Sequence, residues 1–222
     1  MYKLKKTILM FAVAALSFTA CKQESLKPDG LQMNESPSSS SNLYRVNGTN
    51  NFIDETELST LGDEINIFPN VKGQRLVFTN DANLRTWANT QNQQIRSYII
   101  NKLDSIALLQ AFATREGLID DEAATERWFR DNYGEPSTEA VAGVGIVFDG
   151  GTCGGNSINL ALPLMPSLFW MNNRTSSFVI AGSKTFFDRT WFRGTRWWYL
   201  SDPTVCWPLT GTNQDNRYES VL

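Results

Sequence analysis

The sequence predicts an α+β protein, with a mainly helical region over residues 64–139 and an all-β region over 140–222. Two patterns carry that division. Apolar residues recur at three- and four-residue spacing between 84 and 113, as on one face of a helix. After residue 140 the runs VGIVF, INLAL, SSFVI and WWYL alternate with turn residues, and five of the seven tryptophans fall between 170 and 207, the signature of short strands.

The helical region opens on INIFPN and RLVFT, in which Leu76–Phe78 read as a short strand. Asn80 or Asp81 then caps a helix carrying Leu84, Trp87 and Ala88 on one face. A longer helix places Ile95, Ile99, Leu103, Ile106, Leu109 and Ala113 in one stripe and stops at Gly117. A third starts near Asp120, has Asp121 and Glu122 where the helix dipole favours negative charge, and ends at Gly134 before Pro136.

Composition excludes several kinds of chemistry. The chain has 222 residues and no histidine, so Ser-His-Asp and Cys-His catalysis and His-ligated zinc, iron or copper are ruled out. With 20 Lys and Arg against 23 Asp and Glu, it lacks the positive charge of a bulk nucleic-acid binder. A binder, a structural module or a carboxylate- or hydroxyl-based enzyme remains.

Residues 1–21 read as an export signal: Lys3, Lys5 and Lys6, an apolar run from Ile8 to Phe18, then small residues up to Cys21. The run is too short to span a bilayer comfortably. The small residues before Cys21 resemble a bacterial lipobox, with Phe18 where that motif has Leu; the alternative is ordinary signal cleavage. Lipidation at Cys21 would hold the protein to a membrane through its acyl chains. Lys22 after it, by resemblance to enteric sorting rules, points to the outer membrane of the cell envelope. Loss of the three leader lysines takes the formal charge from −3 to −6. Cys153 and Cys206 are then the only thiols in an oxidising compartment. They either form a disulfide or pack as two buried free thiols. Residues 22–63, rich in Ser, Asn, Asp, Glu and Lys, are expected to form a flexible polar tether.

The β region repeats. FDGGTCGG at 148–155 aligns with FDRTWFRG at 187–194, and NNRTSSF at 172–178 with DNRYESV at 215–221. The same two blocks recur in the same order, with offsets of 39 and 43. In the first block an aromatic residue stands seven positions ahead of a glycine, Gly155 or Gly194, fitting a folded hairpin whose turn excludes a β-carbon. The second supplies Asn, Asp, Ser and Thr just before a strand. Such short oxygen-bearing side chains suit a hard cation, and they also cap turns with no metal present.

These blocks resemble the βγ-crystallin family, whose domains are two Greek-key motifs, each with an aromatic-x6-Gly hairpin. Calcium-binding members add an [ND]-[ND]-x-x-[ST]-S turn. Residues 172–177 match that turn throughout; residues 215–220 match it except at Glu219. The resemblance covers about 143–222 and implies an all-β Greek-key sandwich with Ca2+ as cofactor. It implies one site from the Asn173 side chain, the Arg174 carbonyl, the Ser176 hydroxyl and the Asp188 carbonyl. A second would use Asn216, the Arg217 carbonyl, the Asp149 carbonyl and Glu219. Positive charge on Arg174, Arg189, Arg193 and Arg196 would weaken affinity for a cation.

The expected function is that of a non-enzymatic exported lipoprotein whose β domain binds calcium for stability or surface attachment. One alternative is a protease inhibitor of crystallin-like fold, which the two cysteines would favour. Another is a glycan- or protein-binding module, if Trp191, Phe192, Trp197, Trp198, Tyr199 and Trp207 form an exposed platform instead of core. A carboxylate enzyme built on Asp120, Asp121 and Glu122 is the remaining option, although their place at a helix start already gives them a structural use.

Overall fold

A computed structural model describes residues 43–71, 73–136, 145–160, 164–180, 182–200, 206–210, 212 and 214–222. The leader, Cys21 and residues 22–42 lie outside this range, as does the expected boundary near 140. Among the described residues the three helices form where the apolar stripes place them: α1 (Asp81–Ala88), α2 (Gln93–Arg115) and α3 (Glu122–Tyr133). Their caps follow the chemistry. The Asn80 side chain accepts from the Asn83 N–H and the Asp121 side chain from the Ala124 N–H, satisfying donors that the first turn leaves free. After α2 and α3 come Gly117 and Gly134 at φ +69° and +85°, in the left-handed region that ends helices. Helix α2 buries Ile99, Leu103, Ile106, Leu109 and Ala113.

The strands are β1 (Tyr44–Val46), β2 (Phe52–Ile53), β3 (Asn66–Val71), β4 (Gln74–Phe78), β5 (Gly145–Phe148), β6 (Ser157–Asn159), β7 (Ser177–Ile180), β8 (Lys184–Arg189), β9 (Arg193–Tyr199), β10 (Trp207–Pro208) and β11 (Ser220–Val221). They form two sheets, ordered β10-β7-β5-β6 and β11-β8-β9-β3-β4-β1-β2. Each sequence repeat contributes a hairpin, β5–β6 or β8–β9. Each also pairs with the other repeat: β10 of the second pairs with β7 of the first, and Met165 of the first makes an isolated β-bridge to Val221 in β11 of the second. That reciprocal exchange makes two interlocked Greek keys, as the repeat predicts.

Two expectations are corrected. The expected tether extends to residue 63, yet residues 44–61 are ordered: Tyr44, Val46 and Leu58 are buried, and β1 pairs in parallel with β4. Strands of two or three residues are too short to register as alternation in the sequence. The turn at 55–61 is closed by a capping box in which Asp54 accepts from Glu57 and Glu57 from Asp54. Secondly, the region 64–139 is not a separate helical unit. Its β3–β4 hairpin joins β9 in parallel, Asn66 against Arg196 and Ile67 against Trp197, so one seven-stranded sheet runs through both regions.

Strand alternation gives that sheet two buried faces. One carries Phe186, Trp197 and Tyr199 into a core with Val147, Phe178, Ile180 and Tyr218 of the β domain. The other carries Phe68, Phe78 and Trp198 toward Trp87 of α1 and Tyr98 of α2. Phe68 stacks on Trp198 with ring centroids 5.5 Å apart. Trp191, Phe192, Trp197, Trp198 and Tyr199 are all buried, and half-buried Trp207 stacks on Phe178. These rings are core, which corrects the exposed-platform alternative. Cys153 and Cys206 form a disulfide, Cα–Cα 5.8 Å, that ties the first hairpin's turn to the start of β10.

Candidate metal centres

The two hairpins place their aspartates alike. Asp149 Oδ1 accepts from the Asn156 N–H at 2.7 Å, and Asp188 Oδ1 from the Thr195 N–H at 2.8 Å, seven residues on in each case. Each aspartate is also held by an arginine of its own repeat, Arg174 on Asp149 at 3.2 Å and Arg217 on Asp188 at 3.0 Å. Burial pushes the Asp188 carboxyl up, against the opposing pull of Arg217. Gly194 has φ +74°, and a β-carbon there would run into Asp188 Oδ1. Gly194→Ala should therefore cost about 2 kcal/mol, combining left-handed strain with displacement of the Asp188–Thr195 bond. Gly117→Ala, at φ +69° with open space around its β-carbon, should carry only the strain. Urea denaturation of both variants measures the difference.

The two turns face each other and exchange partners. Asn173 and Asn216 both take φ near +55°, a conformation Asn tolerates. The Asn173 N–H donates to the Tyr218 carbonyl and the Asn216 N–H to the Thr175 carbonyl. This reciprocal pairing joins the second position of each turn to the fourth of the other, and the fifth-position side chain that follows meets the second-position side chain across the gap. The Asn173 Nδ2 donates to Glu219 Oε1 at 2.6 Å, and the Ser176 hydroxyl donates to Asn216 Oδ1 at 3.3 Å.

Ser176 and Glu219 are therefore interchanged relative to the expected ligand sets. One corner comprises Asn173, Glu219 and the second hairpin, whose Thr190 N–H donates to Glu219 Oε2 at 3.2 Å. The other comprises Asn216, Ser176 and the first hairpin, whose Phe148 carbonyl accepts from the Ser176 N–H. Asn173 thus stays on the hairpin of Asp188, and Asn216 on that of Asp149. Asn172, ahead of Asn173, donates to Glu122 at the start of α3, a contact that no local pattern in the sequence signals.

The donor set fits a hard cation. Amide, hydroxyl, backbone carbonyl and one carboxylate oxygen are ligands that Ca2+ accepts at a flexible coordination number. Glu219 adds formal charge to the second-hairpin corner. Partial burial raises its carboxyl pKa, the Asn173 bond lowers it, and the negative charge of Glu122 raises it again. Among the described residues no three His, Cys, Asp or Glu side chains are grouped to hold a metal, so coordination would lean on neutral oxygens. The arginines expected to repel a cation are each ion-paired: Arg174 with Asp149, Arg189 with Asp63, Arg193 with Asp120 and Arg196 with Asp81.

No family model and no curated protein matches the chain. Solved structures do. A βγ-crystallin from Ciona intestinalis is 24% identical, covering 35% of this chain and 94% of its own, with a TM-score of 0.30. A mutant of a βγ-crystallin domain from Clostridium beijerinckii is 21% identical, covering 35% and 93%, with a TM-score of 0.30. A third structure, bearing on the evolution of the eye lens βγ-crystallin domain fold, is 15% identical, covering 40% and 91%, with a TM-score of 0.33. The solved structures to which this α+β chain is similar are, in each of these cases, βγ-crystallin domains.

Proposed function

We propose that this chain is a non-enzymatic exported lipoprotein whose β domain is stabilised by Ca2+ at the two turn corners, in a structural or surface-attachment role. The observation that carries the calcium reading is the reciprocal seating of Asn173 with Glu219 and of Asn216 with Ser176, each pair beside one hairpin. At the second-hairpin corner Asn173 and Glu219 would hold the ion; at the first, Asn216 and Ser176, each with carbonyls of its own turn and hairpin. At the first-hairpin corner the ion would lie between two oxygens, Ser176 Oγ and Asn216 Oδ1, that otherwise hydrogen-bond; at the second it would replace Asn173 Nδ2 as the partner of Glu219 Oε1, with Asn173 turning its Oδ1 to the ion.

The non-enzymatic reading is supported by the absence of histidine from the sequence and by the uses found for the three adjacent acids. Asp120 pairs with Arg193, Asp121 caps α3, and Glu122 accepts from Asn172. Among the described residues no helix is long and apolar enough to cross a membrane. Membrane attachment in this reading rests on lipid at Cys21, and Lys22, by resemblance to enteric sorting rules, argues against inner-membrane retention and so for the outer membrane. Partition into a detergent phase, lost in Cys21→Ser, tests that part.

Calcium binding to the folded state alone raises stability by mass action. At free Ca2+ a hundredfold above the dissociation constant, unfolding should cost about 2.7 kcal/mol more per site than in EDTA. Ser176→Ala should weaken uptake at the first-hairpin corner only. Calorimetric titration with CaCl2 and melting with and without EDTA measure both, and a melting curve indifferent to EDTA would sink the calcium reading.

A further inference from the structure

The two corners differ in what surrounds them. Among the described residues, the side-chain partners of Asp149, Asn156, Ser176 and Asn216 lie within the β domain. The second hairpin is instead enclosed by the helical region. Trp191 Nε1 donates to Thr125 Oγ1, and the Phe192 carbonyl accepts from Gln110 Nε2 at 2.7 Å. Arg193 reaches both Asp120 and the Ile119 carbonyl. The residue before this clamp, Thr190, gives its N–H to Glu219 of the corner. A single short turn therefore serves the candidate cation corner on one side and the docking of α3 on the other.

A second path runs beside it. Glu122, in the first turn of α3, accepts from the Asn172 side chain, and Asn173 follows directly with its amide on Glu219. Asn172 is fixed in turn by the Leu168 N–H, which donates to its Oδ1 at 2.8 Å. This run of contacts puts the Glu122 carboxylate one residue's reach from the corner. A negative charge at that position favours a cation in the corner, and a cation there removes the repulsion between the two carboxylates.

From this geometry we propose that cation occupancy of the Asn173–Glu219 corner and docking of α3 on the second hairpin are thermodynamically linked, with Glu122 as the linking residue. The proposal rests on the calcium reading of that corner. Linkage is reciprocal: a docked α3 tightens the cation, and the cation holds the α3 end of the helical region in place. The Asn216–Ser176 corner, which makes no such contact among the described residues, is the internal comparison.

The test uses the full chain carrying Ser176→Ala, so that the second-hairpin corner is titrated alone, with CaCl2 as the probe. Adding Glu122→Gln, which keeps the side chain's shape and its hydrogen-bonding oxygen, should weaken Ca2+ binding roughly five- to tenfold. Asp104→Asn, which removes a charge from the same helical region at its contact with Arg85, should leave the affinity unchanged. In the wild-type chain Ca2+ should slow hydrogen exchange over residues 119–133. Calcium uptake with an unaltered affinity in Glu122→Gln, and exchange over 119–133 indifferent to the ion, would overturn the linkage alone. No uptake by the wild-type chain would remove the calcium reading itself, and the linkage with it.

Discussion

Trp191→Ala should destabilise the chain by about 3–5 kcal/mol, the range for removing a large buried ring. Trp191 is fully buried and its ring lies 5.2 Å from Trp128 and 5.9 Å from Phe112, both on the helices. Its indole N–H donates to Thr125 Oγ1, and that hydroxyl donates onward to the Leu118 carbonyl. Truncation would leave a cavity between β domain and helices and an acceptor at Thr125 with no donor. Trp191→Phe keeps most of the apolar surface and loses only the N–H, so it should cost about 1 kcal/mol. Urea unfolding followed by far-UV circular dichroism measures both. Because one sheet runs through both regions, the wild-type chain should unfold in a single transition. Two transitions, with only one shifted by Trp191→Ala, would show that the regions fold independently.

The helices were legible because each carries a stripe of apolar residues and an Asn or Asp cap, and α2 and α3 have a glycine beyond the end. The β repeat was legible for a related reason, since Phe148, Asp149 and Gly155 recur as Phe187, Asp188 and Gly194, and such turns depend on fixed offsets. What escaped the sequence depends on distant partners. The pairing of Asn66 with Arg196 joins residues 130 positions apart, and no periodicity encodes it. Tyr44 and Val46 sit among Asn, Ser and Thr, so their burial becomes evident only once β4 is present to receive them. The exchange of Ser176 and Glu219 was hidden because the sequence shows each turn as a unit, whereas the structure pairs them through the Asn173 and Asn216 backbone. Asp120, Asp121 and Glu122 mark a helix start in sequence and in structure alike. Their reach to Arg193 and Asn172 depends on where α3 docks.

Asp81→Ala should cost about 3 kcal/mol, toward the lower end of the range for stranding one partner of a buried ion pair. Arg196 is buried and pairs with Asp81, whose side chain is 42% exposed, and water can therefore offset part of the loss. Among the described residues its Nε has no hydrogen-bond partner, so the guanidinium depends heavily on that one carboxylate. Asp81 also ends a buried polar chain: Trp198 Nε1 donates to Asn66 Oδ1, and Asn66 Nδ2 donates to Asp81 Oδ1. The substitution thus leaves a buried cation and a buried amide donor without acceptors at the junction of β9, β3 and α1. Removing the cation as well should reverse most of the loss, because buried ion pairs replaced by apolar side chains are often neutral or stabilising. Asp81→Ala combined with Arg196→Met should therefore lie within about 1 kcal/mol of wild type, the remaining deficit being the stranded Asn66 donor. Urea midpoints of the single and double variants measure the two terms. A double variant as unstable as Asp81→Ala alone would mean that the stranded charge is not the cause, and would move the cost to the start of α1, where Asp81 also serves the helix dipole.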